Sequence, residues 1–95
     1  ALHIAAVFAS NFTNHMLRIS KQVADENDID FDWLKPLIAE ALNKSLAIGP
    51  ELAQTGPAKR GDLETLDRHM AFLQQDEKLA ELYRVISQHI VDSVE

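Results

Sequence analysis

Gln54-Thr55-Gly56-Pro57-Ala58-Lys59-Arg60-Gly61-Asp62 is the stretch that decides how the rest of this chain is read. It is the longest run without helical apolar periodicity, and helix-periodic segments flank it on both sides. Gly56 can take a positive φ without a Cβ penalty, while Pro57 fixes its own φ and pushes Gly56 out of the α region. The chain therefore turns here in a defined shape. Asp62 has the side chain to cap the helix that follows, with Thr65 three residues on. The loop also offers a hydroxyl, free amides, an ammonium and a guanidinium, a set suited to an anion or a polar ligand. The plain alternative is a helix–loop–helix corner with a solvated arginine.

Outward from the loop, the apolar residues recur at three- and four-residue steps, as on the buried face of a helix. Ala5, Phe8, Ala9, Phe12, Met16, Ile19 and Val23 predict one long helix over 1–26. At about 100° per residue, His3, Ser10, Asn14, Arg18 and Lys21 gather on its opposite face, with Asn11 and His15 on the flank. Ser and Asn are poor helix formers whose side chains read ligands well, so this face reads either as solvated surface or as a cleft wall.

A charged turn, 25–30, leads to a second helix over 32–48, capped by Asp30 or Asp32. Pro36 falls in its first turn or kinks it. Gly49-Pro50 ends it and starts one short turn to Gln54. Leu63, Leu66, Met70 and Leu73 predict a helix over 62–74. Leu79, Leu82, Tyr83, Ile86, Ile90 and Val94 predict another over 76–93, capped by Asp76. No segment alternates as a strand does. The fold class is all-α: four main helices plus a short turn, in one domain spanning 1–95.

Composition narrows the function. The 95 residues carry a formal net charge of −6, with no stripe of Lys and Arg, which argues against nucleic acid or an anionic membrane as partner. The longest apolar run, from Ile4 to Ala9, is far too short to span a bilayer. There is no cysteine. His3, His15, His69 and His89 match no metal-ligand spacing, so no metal is expected. No Gly-x-Ser-x-Gly elbow, dinucleotide fingerprint or phosphate loop is present. The catalytic residues stay unassigned. The chain starts at Ala1 directly in a helical pattern and reads as a piece of a longer polypeptide.

His3-x-Ala5-Ala6-Val7-Phe8-Ala9-Ser10-Asn11-Phe12, Leu34-Lys35-Pro36-Leu37, Gly49-Pro50, the block from Gln54 to Asp62, His69 and Leu82-Tyr83 occur in an order that resembles a known family. The chain is similar to the helical C-terminal domain of uncharacterised NADP-dependent oxidoreductases that carry an N-terminal Rossmann domain. The resemblance covers nearly the whole chain, and the block from Thr55 to Asp62 is its most specific part. It implies a helical bundle like the C-terminal domains of 6-phosphogluconate dehydrogenase and pyrroline-5-carboxylate reductase. It implies a cytoplasmic enzyme in which the Rossmann domain of the same polypeptide binds NADP. The helical domain then supplies the dimer interface and one wall of the substrate cleft. Thr55-Gly56-Pro57 looks like the Thr-Ser-Pro substrate loop of the pyrroline-carboxylate reductases, although the middle residue differs and the following Gly-Gly is absent.

On that resemblance, Ser10, Asn11, Asn14, Thr55, Gly56 and Arg60 are the expected substrate-binding residues. NADP is the expected cofactor of the full-length protein, and none is expected to bind this chain alone. The expected assembly is a homodimer, and the apolar pattern agrees: Phe72 faces away from its own stripe, and Val85 and Val91 lie outside theirs. The competing reading is a stand-alone helical interaction module with no catalytic activity.

Overall fold

The computed structural model describes residues 1–94, and every regular element among them is helical. The first helix is built from three consecutive pieces: α1 (Leu2–Ala6), a π-helical segment (Val7–Phe12) and α2 (Thr13–Glu26). A 3₁₀ turn (Phe31–Leu34) leads into α3 (Lys35–Ile48). Then come α4 (Pro50–Ala53), α5 (Pro57–Arg60), α6 (Leu63–Leu73) and α7 (Glu77–Ser93). The expected four long helices are present.

The helix boundaries follow from local chemistry. Three acidic side chains cap the ends where the sequence places them. Asp30 accepts from the Asp32 amide at 2.9 Å, Asp62 from Thr65 at 3.1 Å and Asp76 from Leu79 at 3.1 Å. Pro36 sits in the first turn of α3, where a missing N–H costs nothing, and the 3₁₀ turn precedes it. Gly49 ends α3 at φ +94°, and Pro50 takes the first position of α4.

Two details depart from the sequence reading. An i→i+5 turn takes one residue more than an α turn, so faces assigned at 100° per residue do not carry across 7–12. His3 and Ser10 therefore do not share a face with Asn14, Arg18 and Lys21 in the way an unbroken α-helix requires. The loop 54–62 also contains a helical turn of its own, α5, between two glycines.

The chain divides into two compact units, Ala1–Asn43 and Lys44–Glu95, with the boundary inside α3. In the first unit the one fully buried side chain among the described residues is Ala24. Phe8 and Phe12 stack edge-on at 5.0 Å, yet stay 64% and 48% exposed. In the second unit α5, α6 and α7 pack on one another, and Ala58 is buried among them. A small side chain at 58 lets this four-residue helix sit close to its neighbours.

Candidate functional site

The loop 54–62 is held by its own backbone. Gly56 stands at φ +101°, ψ 172°, a conformation open essentially to glycine alone, and N-caps α5 with Pro57 at the first position. Gly61 ends α5 in the left-handed region at φ +67°, with its amide bonded to the Ala58 carbonyl and the Asp62 amide to that of Pro57 at 2.9 Å. The Gln54 side-chain amide donates to the Thr55 carbonyl at 3.0 Å. Thr55 and Arg60 are left exposed at either end of this rigid turn.

A chain of polar contacts runs on from the loop along α6. Thr65 donates its hydroxyl to Asp62 Oδ2 at 2.7 Å, and Arg68 Nη2 donates to Thr65 Oγ1 at 3.1 Å. The Thr65 hydroxyl, then its amide, then the Arg60 guanidinium hold the Asp62 carboxyl below its usual range. The ion pair with Arg60 is a single contact at 3.6 Å, and the Arg60 side chain is 60% exposed. So Asp62 spends its main bonds on the helix end, and the Arg60 fork is free to take a planar anion. One turn beyond Thr65, His69 Nδ1 lies 2.7 Å from the Tyr83 hydroxyl. The Asp62–Thr65 spacing was readable in the sequence. Arg68 was not, and although His69 and Tyr83 both belong to the family pattern, nothing local says that they meet.

In the first unit, Ser10 and Asn11 lie in the π-helical segment, both exposed. Such segments open the helix wall and often mark functional positions. Asn14, one turn later, lines an open groove of about 670 Å³ between α2 and α3, together with Leu17, Arg18, Lys21, Phe31 and Lys35. The second unit has a cleft of about 410 Å³ between α4 and α7, lined by Glu51, Gln54, Lys59, Ile86 and His89 among others. Within its own unit, then, the structure brings Thr55, Gly56 and Arg60 onto one loop. It sets Ser10, Asn11 and Asn14 along one stretch of helix. Among the described residues, no three His, Cys, Asp or Glu side chains converge as a metal site would need, and no helix is long and apolar enough to cross a membrane.

The chain matches a family model and a solved structure. The family model described as a domain of unknown function (DUF2520) matches residues 1–90. Among solved structures, a protein from Bacteroides fragilis described as a putative NADP oxidoreductase is 38% identical, with a TM-score of 0.93. That match covers 97% of this chain and 36% of the other, so this chain spans about a third of its length. No curated protein matches.

Proposed function

Since the chain belongs to the DUF2520 family, we propose that it is the dimerisation and substrate-cleft domain of an NADP-dependent oxidoreductase. Hydride transfer is the work of a further, Rossmann-type domain of the same cytoplasmic polypeptide. The observation that carries this reading is the match over nearly the whole chain to one part of a longer protein described as an NADP oxidoreductase.

The residues present do not fit a dinucleotide site. A pyrophosphate needs a glycine-rich turn running from a strand into a helix. The three glycines, at 49, 56 and 61, stand one at each of three helix ends, with no strand among the described residues. The chain's contribution lies on the substrate side. Arg60 offers a bidentate grip for a carboxylate or phosphate. Thr55 and the amides around Gly56 add neutral hydrogen bonds. Ser10, Asn11 and Asn14 supply adaptable polar contacts along the first helix.

The homodimer reading is supported by apolar surface. Leu2, Trp33, Leu46, Leu52 and Leu63 are each at least 70% exposed. Full burial of one such side chain is worth roughly 1.5–3 kcal/mol, a gain these residues forgo in the single chain.

The test is cofactor binding by the full-length protein. Titration with NADPH, followed by the fluorescence of the reduced nicotinamide, is expected to saturate in the micromolar range. Absence of saturable binding, or equal binding by residues 1–95 alone, overturns the reading.

A further inference from the structure

The charges of the first unit are sorted by position. Its Lys and Arg residues are Arg18, Lys21 and Lys35, and all three line the groove between α2 and α3. Its acidic residues are Asp25, Glu26, Asp28, Asp30, Asp32 and Glu40, and all but Glu40 crowd into the hairpin tip, 25–32. No carboxylate lines the groove, whose apolar floor includes Leu17, Phe31 and Ile38. The tip acids next to the groove already hold two of the cations: Lys21 pairs with Asp25 at 2.6 Å and Lys35 with Asp32 at 2.7 Å. Arg18 has no carboxylate within 4 Å among the described residues, and Asp28 at the apex has no cation.

The groove is open because its two walls do not meet. No Cα of α2 comes within 8 Å of a Cα of α3, whereas packed helices stand only 8–10 Å apart axis to axis. So wide a groove does not enclose most of a small ligand's surface, as a ligand pocket does. An open groove lined by cations suits a protruding element of opposite charge.

The tip is a hydrogen-bonded knob of the matching charge. Asp28 takes the left-handed conformation at φ +57°, and the Ile29 amide reaches back to the Ala24 carbonyl at 2.9 Å. The Asn27 side chain bonds the Val23 carbonyl at 2.8 Å. This fold-back leaves Ile29 43% exposed, between Asp28 and Asp30.

Resting on the homodimer reading above, we propose that the hairpin tip of a second copy of this chain seats in this groove. Ile29 packs on the apolar floor and Asp28 faces Arg18. The contact is reciprocal, as a two-fold interface requires, and the sorted charges make the surface complementary to itself.

Cysteine cross-linking in the full-length protein tests this. The 95 residues contain no cysteine, and any outside them are first replaced. Arg18 lies eight residues, about 12 Å, before the end of α2 at Glu26, and positions 28 and 29 lie in the fold-back beyond that end, so neither is within the roughly 7 Å of position 18 that a disulfide bridges. A bond between them must therefore join two copies. Arg18→Cys with Asp28→Cys is expected to give a covalent dimer under mild oxidation, as is a mixture of the two single variants. Arg18→Cys with Ile29→Cys serves if position 28 rejects the change. In parallel, Arg18→Glu is expected to weaken the dimer at least about tenfold by light scattering, and adding Asp28→Lys to restore it. A wild-type dimer that neither cross-links nor responds to Arg18→Glu overturns this interface alone. A wild-type protein that stays monomeric at tens of micromolar overturns the homodimer reading with it.

Discussion

His69 Nδ1 lies 2.7 Å from the hydroxyl of Tyr83, with the two rings edge-on at 5.7 Å, so one side-chain pair ties α6 to α7. The residues are 14 apart in the chain, and the pair is a polar tertiary clamp on the helices that follow the loop. Tyr83→Phe keeps the ring and removes the hydroxyl. It is expected to cost about 0.5–1.5 kcal/mol in urea unfolding, and His69→Ala should add little on top of it if the hydrogen bond is what is lost. Partial burial raises the Tyr83 pKa. A raised pKa means that the folded state holds the proton more tightly. This contribution is complete below the ordinary tyrosine range and fades as pH rises through the folded value. Wild-type stability should therefore fall more steeply above about pH 10 than that of Tyr83→Phe.

The Asp62 carboxyl is expected to set an acid limit on the corner between α5 and α6. Its pKa is lowered, first by the Thr65 hydroxyl. The unfolded chain therefore takes up the proton first, and this stability is present above the ordinary aspartate range and lost as pH falls through the folded value. Thermal melts from pH 7 to pH 3 should show a smaller acid loss for Asp62→Asn than for the wild type. Equal losses would mean that the cap is energetically silent.

Gly56 and Gly61 make a ranked pair. Neither has an atom within 4 Å of where a Cβ would stand, so the cost of alanine there is conformational and not steric. Gly56 occupies a region nearly closed to L side chains, whereas Gly61 sits in the left-handed helical region. Gly56→Ala should cost about 1–3 kcal/mol, and Gly61→Ala about 1 kcal/mol. Denaturant unfolding in which Gly61→Ala is the worse of the two would refute the backbone assignment of the loop.

Arg60 separates a binding role from a structural one. Its contact with Asp62 is long and solvent-exposed, so Arg60→Lys should leave the melting temperature unchanged. Lysine keeps the charge but loses the planar fork. Calorimetric titration of the full-length protein with a small dicarboxylate or inorganic phosphate should show affinity falling about 10- to 100-fold in the variant. A lowered melting temperature with unchanged anion binding would make Arg60 a corner brace.

The Asp76 cap is the simplest case. Asp76→Ala removes the acceptor for the Leu79 amide, the bond that closes the first turn of α7. About 1 kcal/mol of stability should go with it. A loss within error of zero would show that this helix end is held by its packing on α5 and α6.

What the sequence determined by itself is what depends on neighbours a few residues apart. Asp30, Asp62 and Asp76 cap their helices because a side-chain oxygen reaches an amide two or three residues ahead. Gly49, Gly56 and Gly61 take positive φ where the pattern breaks, because only glycine does so freely. Apolar spacing therefore located the long helices to within about three residues, with 7–12 departing from α geometry, and the loop 54–62 stood out as a built turn. What only the tertiary structure decided depends on residues far apart, or on backbone departures that no side chain announces. Val7–Phe12 is π-helical although nothing in its composition forbids an α turn, and that extra residue per turn reset the faces read from a wheel. His69 meets Tyr83 only because α6 packs on α7. Lys35 comes to face Arg18 across a groove only because the hairpin at 25–32 folds back and then splays, and a polarity pattern carries no information about the angle between two helices.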